Sequence, residues 1–125
     1  MTQPDPEIGP APETARMTTT ELDALVRAGG PYRGKAVFAL IDRTPGDAGA
    51  IEALGQLARL PLLRNDRVHL VTLAWAAIIG LLAAETPRSR ALAYAAFAEL
   101  PDSEQEDLLR SMKAPNIEQA HPEKP

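Results

Sequence analysis

The sequence predicts an all-α protein: a small bundle of four to five helices around one central apolar helix at about residues 66–85, with disordered tails. Two observations carry this. Residues 68–84 form a run of 17 without a formal charge, apolar on nearly every side, which is the pattern of a helix buried at the centre of a bundle or in a membrane. Around it, helix-start signals recur, each followed by apolar residues at three- and four-residue spacing.

Residues 1–17 hold Pro4, Pro6, Pro10 and Pro12 among acidic residues and almost no large apolar side chain. Such a segment buries too little surface to offset the entropy of ordering, so it reads as a disordered acidic tail. Residues 115–125 read the same way, leaving 18–114 as a single helical domain. That length hides roughly two-thirds of its unfolded surface, enough for one core.

The first helix opens at Thr18-Thr19-Thr20-Glu21, a capping box in which the Thr18 hydroxyl and the Glu21 carboxylate satisfy each other's backbone N–H groups. Leu22, Leu25 and Val26 make its apolar stripe, and Gly29-Gly30-Pro31 ends it. Residues 35–42 are ambiguous between helix and buried strand. Helix is preferred, because a two-stranded sheet is a poor core. The alternative is a small α/β fold with a short parallel pair, 35–42 and 67–73. A further helix is expected from Thr44 as N-cap with Pro45 in the first turn. Ala48, Ile51, Leu54 and Ala58 line one face of it, and Pro61 closes it.

Asn65-Asp66 is expected to cap the central helix. Thr86-Pro87 starts the next, whose alanines allow close packing, and Pro101 ends it. Ser103 and Glu106 suggest a second capping box for a last helix. Its narrow stripe of Leu108, Leu109 and Met112 suits docking on the parent domain or on a partner.

Composition narrows the chemistry. The 125 residues include no Cys, which removes disulfides, thiol nucleophiles and Cys-ligated metals. The two histidines, His69 and His121, have no His or Cys three or four residues away, so no metal site is expected. His69 reads as a helix-face residue. Ser89, Ser103 and Ser111 are the only serines, and none lies in a Gly-x-Ser-x-Gly turn. Gly46 and Gly49 open a helix but match neither a dinucleotide nor a P-loop fingerprint, and Asp47 puts negative charge where a phosphate would sit. No catalytic residue, metal or cofactor is expected.

Charge is uneven. Residues 1–26 carry one basic and five acidic side chains, residues 27–90 nine and five, and residues 91–125 three and seven. A basic middle suggests phosphate contacts by Arg59, Arg64, Arg67, Arg88 and Arg90. Against that stand the acidic ends and only two Tyr, two Phe and one Trp for base stacking. Leu54-Gly55-Gln56-Leu57-Ala58-Arg59 carries a weak helix-turn-helix pattern, but Pro61 interrupts where a recognition helix begins. The plainer reading pairs these arginines with carboxylates such as Asp66 and Glu85 at helix ends. Residues 68–84 reach only the lower limit for a membrane span.

The sequence therefore supports a non-enzymatic helical interaction or regulatory protein, cytoplasmic, with a homodimer as the first expected partner. A nucleic-acid-associated regulator using the five arginines is one alternative. A single-pass or membrane-associated protein using residues 68–84 is the other. Trp75, mid-run in the most apolar segment, is expected to anchor the core.

Overall fold

Thr18 caps the first helix as its sequence predicts: its hydroxyl accepts from the Glu21 N–H at 3.0 Å, and the Glu21 carboxylate accepts from the Thr18 N–H at 2.8 Å. From there the computed structural model, which describes residues 13–65, 67–68 and 71–122, is of the all-α class, with one two-stranded hairpin as its only extended element among the described residues. It comprises α1 (Thr19–Arg27), α2 (Arg33–Arg43), α3 (Ala48–Leu57), α4 (Pro61–Arg64), α5 (Leu73–Ala84), α6 (Pro87–Ala98) and α7 (Asp102–Met112). That is seven α-helices among the described residues, against an expected four to five. 3-10 turns at Thr14–Arg16 and Ile117–Gln119 flank them.

The ambiguous stretch is helical. In α2, Ala36, Val37 and Leu40 are fully buried, which is one helical face. The parallel strand pair does not form. Instead β1 (Arg67–Val68) and β2 (Val71–Thr72) pair antiparallel with each other, Arg67 opposite Thr72 and Val68 opposite Val71. This minimal hairpin pairs its own backbone groups, and a long-range strand partner is not needed.

The hairpin also corrects the start of the central helix, which is Leu73 and not residue 66. Thr72 caps it, its hydroxyl accepting from the Trp75 N–H at 3.3 Å. Asn65, expected with Asp66 to cap this helix, ends α4 instead, while Asp66 and His69, and with His69 its helix-face reading, lie outside the described residues. Twelve residues make a helix of about 18 Å, well short of a bilayer's apolar thickness. No helix among the described residues is long and apolar enough to cross a membrane. α5 is nevertheless the centre of the bundle: Leu73, Ala74, Trp75, Ala77, Ile78, Gly80, Leu81 and Leu82 are all buried, with α2, α3, α4 and α6 packed against it. Glu85 leaves it in the left-handed conformation at φ 58°.

Two other starts differ from expectation. Thr44 does not cap α3; it ends α2, its hydroxyl donating to the Ile41 carbonyl at 2.8 Å. Asp47 is the cap, accepting from the N–H groups of Gly49 at 2.8 Å and Ala50 at 3.2 Å. A carboxylate accepts more strongly than a hydroxyl and complements the helix dipole. Pro61 does not close α3, which ends at Leu57; it opens α4, where its missing N–H costs nothing. The Thr86 start of α6 holds, with Ser89 completing the box. The Ser103–Glu106 box does not form, because α7 begins at Asp102 with no capping side chain and Ser103 already lies inside it.

The tail expected from residue 115 is docked as far as 122. Ile117 is 6% exposed and Ala120 0%, and both belong to the core cluster. The described residues 13–17 of the N-terminal segment likewise include an ordered turn. Arg43 holds it through Nη donation to the carbonyls of Thr14, at 2.9 Å, and Met17.

Candidate functional site

The four flagged arginines whose side chains are described, Arg59, Arg64, Arg88 and Arg90, do not form one free basic face. Arg88 on α6 donates from Nε and Nη2 to the two carboxylate oxygens of Glu52 on α3, at 2.6 and 2.9 Å. This two-pronged pair holds the Glu52 carboxyl below its usual range and pushes the guanidinium value up. Arg59 pairs with the Glu99 carboxylate, and Arg64 donates to the Glu99 carbonyl. Those two thus converge at the end of α6. Arg90 lies near the start of α6, about 14 Å away along the axis. It pairs with Glu85 at 3.3 Å and donates to Tyr94 Oη at 2.8 Å and to the carbonyls of Glu118 and Ala120 at 3.1 and 3.0 Å. Arg67 lies in β1, and its side chain falls outside the described residues. A phosphate approaching Arg59, Arg64, Arg88 or Arg90 thus meets a guanidinium already engaged by a carboxylate or a carbonyl.

Three of the residues weighed for chemistry, Ser89, Ser111 and His121, have structural partners. Ser89 is fully buried and completes the α6 cap with Thr86. Ser111 donates to the Leu108 carbonyl at 2.7 Å. His121 Nδ1 lies 2.9 Å from Glu85 Oε1. Among the described residues, no group of three or more His, Asp or Glu is placed to hold a metal ion. Trp75 is a core anchor at 7% exposure, and its Nε1 has no hydrogen-bond partner among the described residues.

The feature that sequence reasoning missed is Phe38. It is 49% exposed, the more exposed of two large apolar side chains at the surface among the described residues; Leu62 is the other. Phe38 sits in a shallow groove with Ala15, Ala39, Lys35, Asp42 and Arg43. The groove's far wall, Thr14 and Ala15, is fixed by the Arg43 bonds described above. The signal was present once α2 is read as a helix. At 100° per residue, Phe38 points about 150° away from the mean direction of Ala36, Val37 and Leu40. Lys35 and Asp42 share its side, so an aromatic stands among charges on the solvent face.

Thr19 and Asp47 stiffen the neighbouring corner. The Thr19 hydroxyl donates to Asp47 Oδ2 at 2.6 Å. That bond first, and the Ala50 N–H second, hold the Asp47 carboxyl below its ordinary value.

Compared with known proteins, the chain matches no family, no curated protein and no solved structure.

Proposed function

We propose that this is a non-enzymatic helical interaction or regulatory protein that docks a protein partner through the α2 face centred on Phe38, a second copy of the chain being the first such partner. One observation carries the reading: a half-exposed aromatic ringed by Lys35, Asp42 and Arg43 in a groove whose wall is pinned in place. An apolar anchor inside a charged rim is the layout of interface hot spots, where aromatic residues contribute most of the binding energy. Across a two-fold axis the same patch meets itself, and the opposite charges of Lys35 and Asp42 on its rim allow reciprocal pairs between the copies. On this reading the protein acts in the cytoplasm.

The experiment is native mass by size-exclusion chromatography with light scattering, for the wild type and for Phe38→Ser. A dimer is expected for the wild type. The substitution weakens it by at least about 30-fold, the effect of losing a hot spot of about 2 kcal/mol. The far-UV circular dichroism spectrum should remain that of the folded bundle, since Phe38 lies outside the core, while the melting temperature should fall by the lost association. A wild type that remains monomeric at every accessible concentration overturns the self-docking reading.

A further inference from the structure

We infer that residues 115–122 are an exchangeable strap: the groove they close between α6 and α7 accepts the same segment from a second copy of the chain. The inference is independent of the Phe38 face.

The strap is built as a separable ligand. Ile117 and Ala120 are buried, and Pro115 and Ile117 share a groove with Tyr94, Phe97, Ala98 and Leu109. The lock is Arg90, whose side chain is 13% exposed. Its Nη2 grips two strap carbonyls, Glu118 and Ala120, at 3.1 and 3.0 Å. From the body, the Arg90 guanidinium is steadied by Glu85, by Tyr94 Oη and by the Leu82 carbonyl at 3.4 Å. His121 on the strap lies against the same Glu85. A second copy carries the same residues at the same spacing, so it satisfies this lock without any new chemistry.

The hinge favours exchange. Only four residues, 113–116, separate α7 from the 3-10 turn of the strap. The first, Lys113, is held at φ 54°, a left-handed conformation that strains a residue with a Cβ. Returning Lys113 to ordinary helical angles lengthens α7 and removes that strain. Ala114 precedes Pro115 and is biased away from helix, so the opened chain runs on in extended form away from its own groove. Short hinges under strain invite this kind of swap. α7 stays on the body through Leu108, which is fully buried, and through Leu109 and Met112 packed beside it, so the strap can leave while α7 remains in place.

The chain has no Cys, which makes a clean cross-linking test available. Ala98 and Glu118 are both exposed and line the same groove. Full-length Ala98→Cys protein, mixed with full-length Glu118→Cys protein and treated with a short bis-maleimide, should give a mixed cross-linked product that grows with concentration. Lys113→Gly in both chains should lower its yield about fivefold or more, because glycine accepts φ 54° without strain. Ile117→Ala in the Glu118→Cys chain should lower it too. The double variant Ala98→Cys/Glu118→Cys reports closure within one chain. If it closes internally at every concentration and the mixture gives no mixed product, the strap is a fixed part of the monomer and the inference fails. A mixed product indifferent to both Lys113→Gly and Ile117→Ala comes from another contact and also defeats it. A dimer by light scattering without mixed product defeats the exchange while leaving the Phe38 reading intact.

Discussion

Replacing Gly80 by Ala measures how closely α2 and α5 cross. A Cβ built at Gly80 falls 2.8 Å from Ile41 Cγ1, 2.9 Å from Cγ2 and 3.3 Å from Cδ1. The first two are closer than carbon atoms tolerate. Ile41 cannot swing clear, because a β-branched side chain in a helix has one dominant rotamer and both clashing atoms branch directly from its Cβ. The helices must therefore separate, and overpacking of this kind costs about 1–3 kcal/mol. Against it stands the gain of up to about 1 kcal/mol for Ala over Gly inside a helix. The expected net loss is about 1–2 kcal/mol. In an Ile41→Ala background the obstruction is gone, and the same Gly80→Ala change should stabilise the protein by up to about 1 kcal/mol. Urea unfolding of the four proteins in a double-mutant cycle, followed by circular dichroism, reads the coupling, expected near 2 kcal/mol. If Gly80→Ala raises the unfolding midpoint of the wild type, or if the two changes add, the close crossing is not what holds α2 and α5.

Two further outcomes follow from the core and from the α3 cap. Ile78 is fully buried in α5, so Ile78→Asp places an unpaired charge at the centre of the bundle and should unfold it; a thermal melt equal to wild type contradicts the packing of α5. Stability should also fall at low pH through Asp47. Its carboxyl is held below the ordinary value of 3.8 in the folded state, so its contribution is complete above about pH 4 and is lost as pH drops through the lower folded value. Glu21 and Glu52 are depressed as well and act in the same direction. Asp47→Asn should flatten the acid limb of the stability–pH curve; an acid limb that keeps its wild-type shape assigns it to other groups.

What could be read from the sequence was local. The Thr18 box and the Thr86-Pro87 start hold because their hydrogen bonds reach only three residues. α2 is expected as helix because its one strand partner, 67–73, would make only a two-stranded sheet, a poor core. The start of α5 was not legible, since Asn65-Asp66 resembles a cap and the hairpin at 67–72 must be seen to displace it. The sequence points to Thr44 as the cap of α3, whereas Asp47 takes that post and is bonded by Thr19, 28 residues away. The arginines show the same limit. Their sequence context marks them as basic, while Arg88 finds Glu52 36 residues away and Arg90 finds Ala120 30 residues away. Phe38 was concealed inside a continuous apolar run, and only the helical phase of α2 turns it to solvent. The docked strap was missed because composition alone labelled it a tail, although Ile117 and Ala120 share one side of a single 3-10 turn.

The order of the buried residues along the chain has a consequence for synthesis. Among the described residues, all of the buried apolar core except Leu108, Ile117 and Ala120 precedes residue 101. A nascent chain leaving the ribosome N-terminus first thus brings these core residues out before α7 and the strap emerge. During that interval Tyr94, Phe97 and Arg90 stand uncovered, and on a crowded polysome the first strap to reach them can belong to a neighbouring chain.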